Sequence, residues 1–90
     1  IYLVTTDIPE NKPEHRQLTY KLYDGDEKIR VSQEIILGVG GLRLLREAGV
    51  AFDIVHLNEG HALPAVFELL AHFGGDLAKV RQHTVFTTHT

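Results

Sequence analysis

Cysteine and methionine are both absent from the 90 residues. The first absence excludes disulfide staples and thiolate metal sites. The second accompanies a chain that opens inside one apolar run and closes on another, whereas domain boundaries favour polar linkers; both ends are expected to be cut from a longer chain. No apolar run approaches the ~20 residues needed to cross a bilayer, and the first residues lack the basic flank and cleavage site of a signal peptide. A soluble, cytoplasmic protein with no membrane partner is expected. A cationic surface is also missing: nine basic and twelve acidic residues, net charge −3, are scattered along the chain. Nothing there would neutralise a phosphate backbone, so nucleic acid is not an expected partner.

What is present is the composition of a packed globule, 43% hydrophobic and 23% charged. At this length there is room for one small, marginal core. Ile1-Tyr2-Leu3-Val4 predicts a buried strand that stops at Thr5-Thr6-Asp7. From Asp7 to Asp26, prolines, Gly25 and charges predict a surface loop, with a short helix from Pro13 to Leu22. Asp26 can cap a helix running to about Ala48, since Ile35, Val39, Leu42 and Leu45 recur every three or four residues and Gly49 suits a left-handed cap. A short strand is predicted over Phe52–Leu57, then a helix from Ala62 to Phe73 closed by Gly74-Gly75. Asp76 can cap a third helix carrying Leu77 and Val80, and Thr84–Thr88 reads as a last strand.

The order β-α-β-α-α-β predicts an α/β fold with a Rossmann-like parallel sheet. Ligands of such sheets bind at the carboxyl ends of the strands. Here those ends are Thr5-Thr6-Asp7, Asn58-Glu59-Gly60-His61 and Thr88-His89-Thr90. An amide, a carboxylate and an imidazole grouped at the second end could hydrogen-bond sugar hydroxyls, with Glu59 fixing the His61 tautomer. Helix capping would account for Asn58 or Glu59 equally well. His89 is polar at the end of an otherwise apolar strand. His56, inside the preceding strand, is expected to be a hydrogen-bonded structural histidine, and His15, His72 and His83 to be surface residues without a role. Zinc is not expected at His56, Glu59 and His61, because they fall on a strand and turn and not on one helix face. Leu37-Gly38-Val39-Gly40-Gly41 fails the dinucleotide fingerprint in spacing and context. Its glycines are expected to let the helix approach a neighbouring backbone.

Taken in order, Thr6–Asn11, Leu22–Asp26, Gln33–Gly41, His56–His61 and Thr84–Thr90 resemble the α-glucan (glycogen or maltodextrin) phosphorylase family, especially its shorter bacterial and archaeal branch. The resemblance covers essentially the whole chain. It implies one partial domain, residues 1–90, from the N-terminal side of a two-domain glycosyltransferase-B enzyme. That enzyme would use pyridoxal phosphate and inorganic phosphate to release glucose 1-phosphate from an α-1,4-glucan. By the same resemblance Asn58, Glu59 and His61 would line the glucosyl pocket, and His89 would contact the glucosyl unit as a catalytic residue. Tyr23 to Asp26 would be a shortened gate loop, which makes Asp26 a substrate-binding residue. A homo-oligomeric whole protein would be compatible with it. Leu63-Pro64 and Asp24 depart from the family pattern without removing a polar group from the pocket. The cofactor lysine, the basic phosphate-binding residues and the glycine-rich loop have no counterpart here, so the chain alone is expected to be inactive.

Two other readings stay open at the level of sequence. One is a segment of a sugar-nucleotide-dependent glucan synthase, whose fold is similar. The other is a non-catalytic carbohydrate-binding α/β module complete at this length. The first lacks a pyridoxal lysine in its remaining chain, and the second predicts a folded monomer with glucan affinity.

Overall fold

Asp26 opens the longest helical stretch of the chain as the sequence predicts, its Oδ1 accepting the backbone N–H groups of Lys28 at 2.9 Å and Ile29 at 3.2 Å. The computed structural model describes residues 1–22 and 24–89. Tyr23 of the predicted gate loop and Thr90 of the last motif lie outside the described residues. The chain divides into two units, Ile1–Gln33 and Glu34–Thr90.

In the first unit, helix α1 spans Pro13–Arg16 and helix α2 begins at Glu27, running to Ile35 in the second. α1 is shorter than the predicted Pro13–Leu22: beyond Arg16 the chain goes on in tighter turns, Leu18 N–H donating to the His15 carbonyl at 3.3 Å and Tyr20 N–H to the Gln17 carbonyl at 3.1 Å. The carbonyls of Leu18 and Lys21 both accept from Gln33 Nε2, at 2.8 and 2.7 Å. Tyr20 donates its hydroxyl to Asp7 Oδ2 at 2.7 Å, and this bond to a carboxylate raises the phenol above its ordinary pKa. Ile1–Val4 is not the buried strand that the sequence predicts: it has no regular structure, and Ile1 and Leu3 are almost fully exposed. A strand needs a hydrogen-bonding neighbour. Among the described residues the sheet has two strands, and this run is not one of them.

The second unit carries the core. After α2 the chain passes through a π-helical turn, Ile36–Gly40, into helix α3, Gly41–Glu47. Gly49 follows with φ 73°, the left-handed cap predicted for it. Strand β1 spans Val55–Asn58, helix α4 Ala65–His72, helix α5 Leu77–Gln82 and strand β2 Thr84–Thr87. The strands pair in parallel, Val55 opposite Thr84 and Asn58 opposite Thr87. β1 starts later than the predicted Phe52 because its ladder begins where its partner does: Val55 N–H donates to the His83 carbonyl at 2.8 Å, and α5 has only just ended at Gln82. The helix expected from Ala62 is likewise divided, a 3₁₀ turn at Gly60–Ala62 giving way to α4 only after Pro64. Proline has no N–H to continue a helix and is tolerated at its start. Asp76 caps α5 as predicted, accepting from Lys79 N–H at 3.2 Å.

Leu42 of α3, Leu57 of β1, Ala65 and Leu69 of α4 and Val80 of α5 are buried together, with Leu45, Val55 and Phe73 packed around them. Helices therefore cover the Leu57 side of the sheet, leaving His56 and Asn58 on its solvent side. The result is an α/β unit with a two-stranded parallel sheet. No helix among the described residues is long and apolar enough to cross a membrane.

Candidate functional site

Period-two alternation sets the site. Leu57 faces the core, so its neighbours His56 and Asn58 share the opposite face, and the parallel register places Thr87 beside Asn58. Side chains from both strands then join in one hydrogen-bonded group at the carboxyl ends. His56 Nε2 lies 3.0 Å from Thr87 Oγ1. Thr87 Oγ1 donates to Asn58 Oδ1 at 3.3 Å, and the same oxygen lies 3.1 Å from His89 Nε2.

Glu59 closes the group from the other side. Its N–H donates to the Thr87 carbonyl at 2.9 Å, extending the ladder one residue past β1. Its Oε1 accepts the backbone N–H of His89 at 2.5 Å. Its backbone is unusual: Glu59 has φ 62° and ψ 179° and is, among the described residues, the one non-glycine with positive φ. Side chains rarely tolerate that conformation, which persists where the surroundings enforce it.

Asn58, Glu59 and His89, three of the residues singled out in the sequence, thus meet in one cluster. His61 is half-buried in the adjoining 3₁₀ turn. The Glu59 carboxylate holds the backbone of His89 through its Oε1. Asp26 belongs to the first unit, where its carboxylate caps α2. His56 is hydrogen-bonded as expected, yet it is exposed and part of the cluster. Sequence reasoning missed it and Thr87 as members of the site. For His56 the signal was available in the spacing, because positions 56 and 58 of a strand must share a face.

Chemically the cluster offers neutral donors and acceptors, two imidazoles and one carboxylate, the set that grips hydroxyl groups. It contains neither lysine nor arginine. Among the described residues no group of three or more His, Asp or Glu side chains could hold a metal ion. A cleft of about 240 Å³ lies at the opposite ends of the strands, lined in part by Phe52, Asp53 and His83, which precede them.

No protein-family model matches the sequence, and no solved structure matches it. Curated proteins do. An uncharacterized protein of Methanocaldococcus jannaschii is 46% identical over 90 residues, covering 100% of this chain and 17% of that protein. The maltodextrin phosphorylase of Thermococcus litoralis is 43% identical over 97 residues, covering 100% of this chain and 12% of its own length. The glycogen phosphorylase of Mycobacterium tuberculosis is 41% identical over 103 residues, with the same 100% and 12%. The chain therefore spans less than a fifth of the length of the relatives it matches. From its first residue to its last it is a relative of one segment of the maltodextrin and glycogen phosphorylases, the family its ordered motifs resemble.

Proposed function

We propose that this chain forms part of the glucosyl pocket of an α-glucan phosphorylase. The enzyme would be a cytoplasmic protein of two Rossmann-like domains in the glycosyltransferase-B arrangement, releasing glucose 1-phosphate from α-1,4-glucan with inorganic phosphate. One observation carries the reading: the neighbours Asn58 and Glu59 are each hydrogen-bonded to His89, distant from both in sequence, where two parallel strands end, the place where α/β sheets take their ligands. The similarity to named phosphorylases over the whole chain supports it.

In this reading the cluster supplies position and polarity. Asn58 and the imidazoles of His61 and His89 would hydrogen-bond sugar hydroxyls, and His89 would touch the glucosyl unit that reacts. Such contacts accelerate a reaction to the extent that they strengthen as the ring distorts toward its transition state. The cluster has no lysine for an aldehyde and no cation for a phosphate, so its residues do not fit pyridoxal phosphate. We assign that cofactor to chain outside these 90 residues.

The test is phosphorolysis by the protein at its native length, with maltodextrin and phosphate as substrates and glucose 1-phosphate as readout. His89→Ala is expected to lower kcat and kcat/KM together by about 100-fold, leaving KM nearly unchanged. A rise in KM alone would show that His89 only binds. Activity with a sugar nucleotide in place of phosphate would move the chain to the glucan synthases.

A further inference from the structure

We propose that Glu59 is a positioning residue whose carboxylate stands in for its own backbone carbonyl, as the acceptor that keeps His89 in strand register; the inference rests on the pocket reading above. In a parallel pair the N–H groups of the two strands donate across the ladder in turn, evenly spaced. With Val55 opposite Thr84 and Asn58 opposite Thr87, the N–H groups of Val55, Leu57 and Glu59 go to the carbonyls of His83, Val85 and Thr87. Those of Val85, Thr87 and His89 return to the carbonyls of Val55, Leu57 and Glu59. The outgoing bonds at the two ends are present, Val55 to His83 at 2.8 Å and Glu59 to Thr87 at 2.9 Å. By the same register the last returning bond would join the His89 N–H to the Glu59 carbonyl.

His89 donates instead to Glu59 Oε1, at 2.5 Å. The Glu59 carbonyl meets the Ala62 N–H, at a long 3.5 Å. Glu59 has left the strand conformation, with φ 62° where a parallel strand has about −120°. Two paths therefore part at this residue. The main chain enters the Gly60–Ala62 turn that carries His61, while the side chain supplies the acceptor the ladder needs next, so that the chain beyond β2 stays tied to the end of β1 as far as His89. Without that side chain, His89 is held to β1 only through its ring, whose Nε2 lies 3.1 Å from Asn58 Oδ1. What the position requires is an acceptor and not a charge, since the peptide carbonyl it replaces is neutral. A glutamine, which keeps a side-chain carbonyl of the same reach, therefore meets the requirement, and alanine does not.

The protein at its native length supports the test, in two readouts. Glu59→Ala is expected to lower kcat for glucan phosphorolysis about tenfold with KM within about twofold, and Glu59→Gln to restore most of the loss. In a His89→Ala background Glu59→Ala should cost nothing further, because the group it positions is gone. The second readout needs no activity. In hydrogen–deuterium exchange resolved to single residues, the His89 amide should exchange about tenfold faster in Glu59→Ala than in the wild type and stay protected in Glu59→Gln. The Thr87 amide, inside the ladder, should be unchanged in both. Should Glu59→Ala fail to fold, the wild type and Glu59→Gln decide by themselves. A wild-type His89 amide that exchanges as fast as unstructured chain would overturn the inference, as would an equal loss of kcat from Glu59→Ala in both backgrounds. So would a Glu59→Gln protein that protects the His89 amide yet loses activity about tenfold, because the site would then use the charge and not the acceptor. An amide protected in the wild type and in Glu59→Gln, in a protein that makes no glucose 1-phosphate, would sink the pocket reading and leave the tether intact.

Discussion

Gly38 meets Ala65 with no room for a side chain between them: a Cβ on Gly38 would lie 2.5 Å from the Ala65 backbone nitrogen and 2.9 Å from the Pro64 carbonyl carbon. The contact seats the π-helical turn against the start of α4, and α4 follows directly from the Glu59–His61 turn. Gly38→Ala must push backbone apart, since no flexible side-chain end is there to yield. A loss of about 1–3 kcal/mol is expected, read from the melting of the protein at its native length. Gly40 and Gly41 have helical φ and ψ, and a methyl group at either would meet nothing within 4 Å. Alanine at either should instead stabilise by about 0.4–1 kcal/mol within this chain. Three similar losses would show that the glycines act through flexibility and not through close approach.

Glu68 is the buried carboxylate of the core, 8% exposed, and it bonds to both Arg43, at 3.2 Å, and Arg46. The Arg43 hydrogen bond leads in holding its pKa below the ordinary 4.5, with both guanidinium charges adding and burial opposing. A depressed carboxylate stabilises the fold fully above its unfolded pKa and loses that contribution as pH falls through the folded value. Glu68→Gln is therefore expected to cost about 1 kcal/mol at neutral pH, because both arginines are partly solvated and keep water as a partner. The gap between mutant and wild type should stay constant down to about pH 5 and close below the ordinary carboxylate range. A gap that persists at pH 3 would mean that Glu68 acts by packing.

Which parts of this molecule can be read from sequence follows from how local each cause is. Asp26, Asp76 and Gly49 act within one helical turn, and all three cap as their identities predict. The close approach at Gly38 was legible as a reason for glycine, although its partner Ala65 was not. Ile1–Val4 failed because strand propensity describes a side chain's fit to a sheet and says nothing of whether a neighbour is there to pair. The same dependence on a partner moved the start of β1 to Val55. Within the site, Asn58, Glu59 and His89 could be suspected from their places at strand ends, but Thr87 could not. Its role depends on the register that sets it beside Asn58, and register is a relation between strands.

The core of the second unit comprises five buried apolar residues. Against it stand Phe67 at 72% exposure, Leu77 at 62% and Phe86 at 51%, and both strands of the sheet have an edge that no other strand covers among the described residues. Fully burying such a side chain contributes roughly 1.5–3 kcal/mol, so a handful cannot offset the ~1–2 kcal/mol of backbone entropy lost at each ordered residue. The 90-residue chain expressed alone is expected to bind a hydrophobic dye, to melt without a cooperative transition and to show no measurable affinity for maltooligosaccharides. A sharp thermal transition with glucan binding by the isolated chain would instead favour a self-sufficient carbohydrate-binding module.

Glu59 provides a test in which stability and function should part. At φ 62° and ψ 179° it occupies a region that glycine enters freely and other residues enter at a cost of about 1–3 kcal/mol. Glu59→Ala keeps that strain and loses the bond to the His89 N–H; Glu59→Gly loses the same bond and releases the strain. Glycine ordinarily destabilises relative to alanine by roughly 0.5–1 kcal/mol through its unfolded-state entropy. Here the order should reverse, with Glu59→Gly more stable than Glu59→Ala by about 1 kcal/mol in paired denaturation curves. Both substitutions should depress phosphorolysis to a similar low level, because the carboxylate that anchors the His89 backbone is missing from each. If glycine proved the less stable of the two, the positive φ would carry no strain. If it also retained full activity, the carboxylate would have no part in holding His89, and the geometry at the strand ends would serve the fold alone.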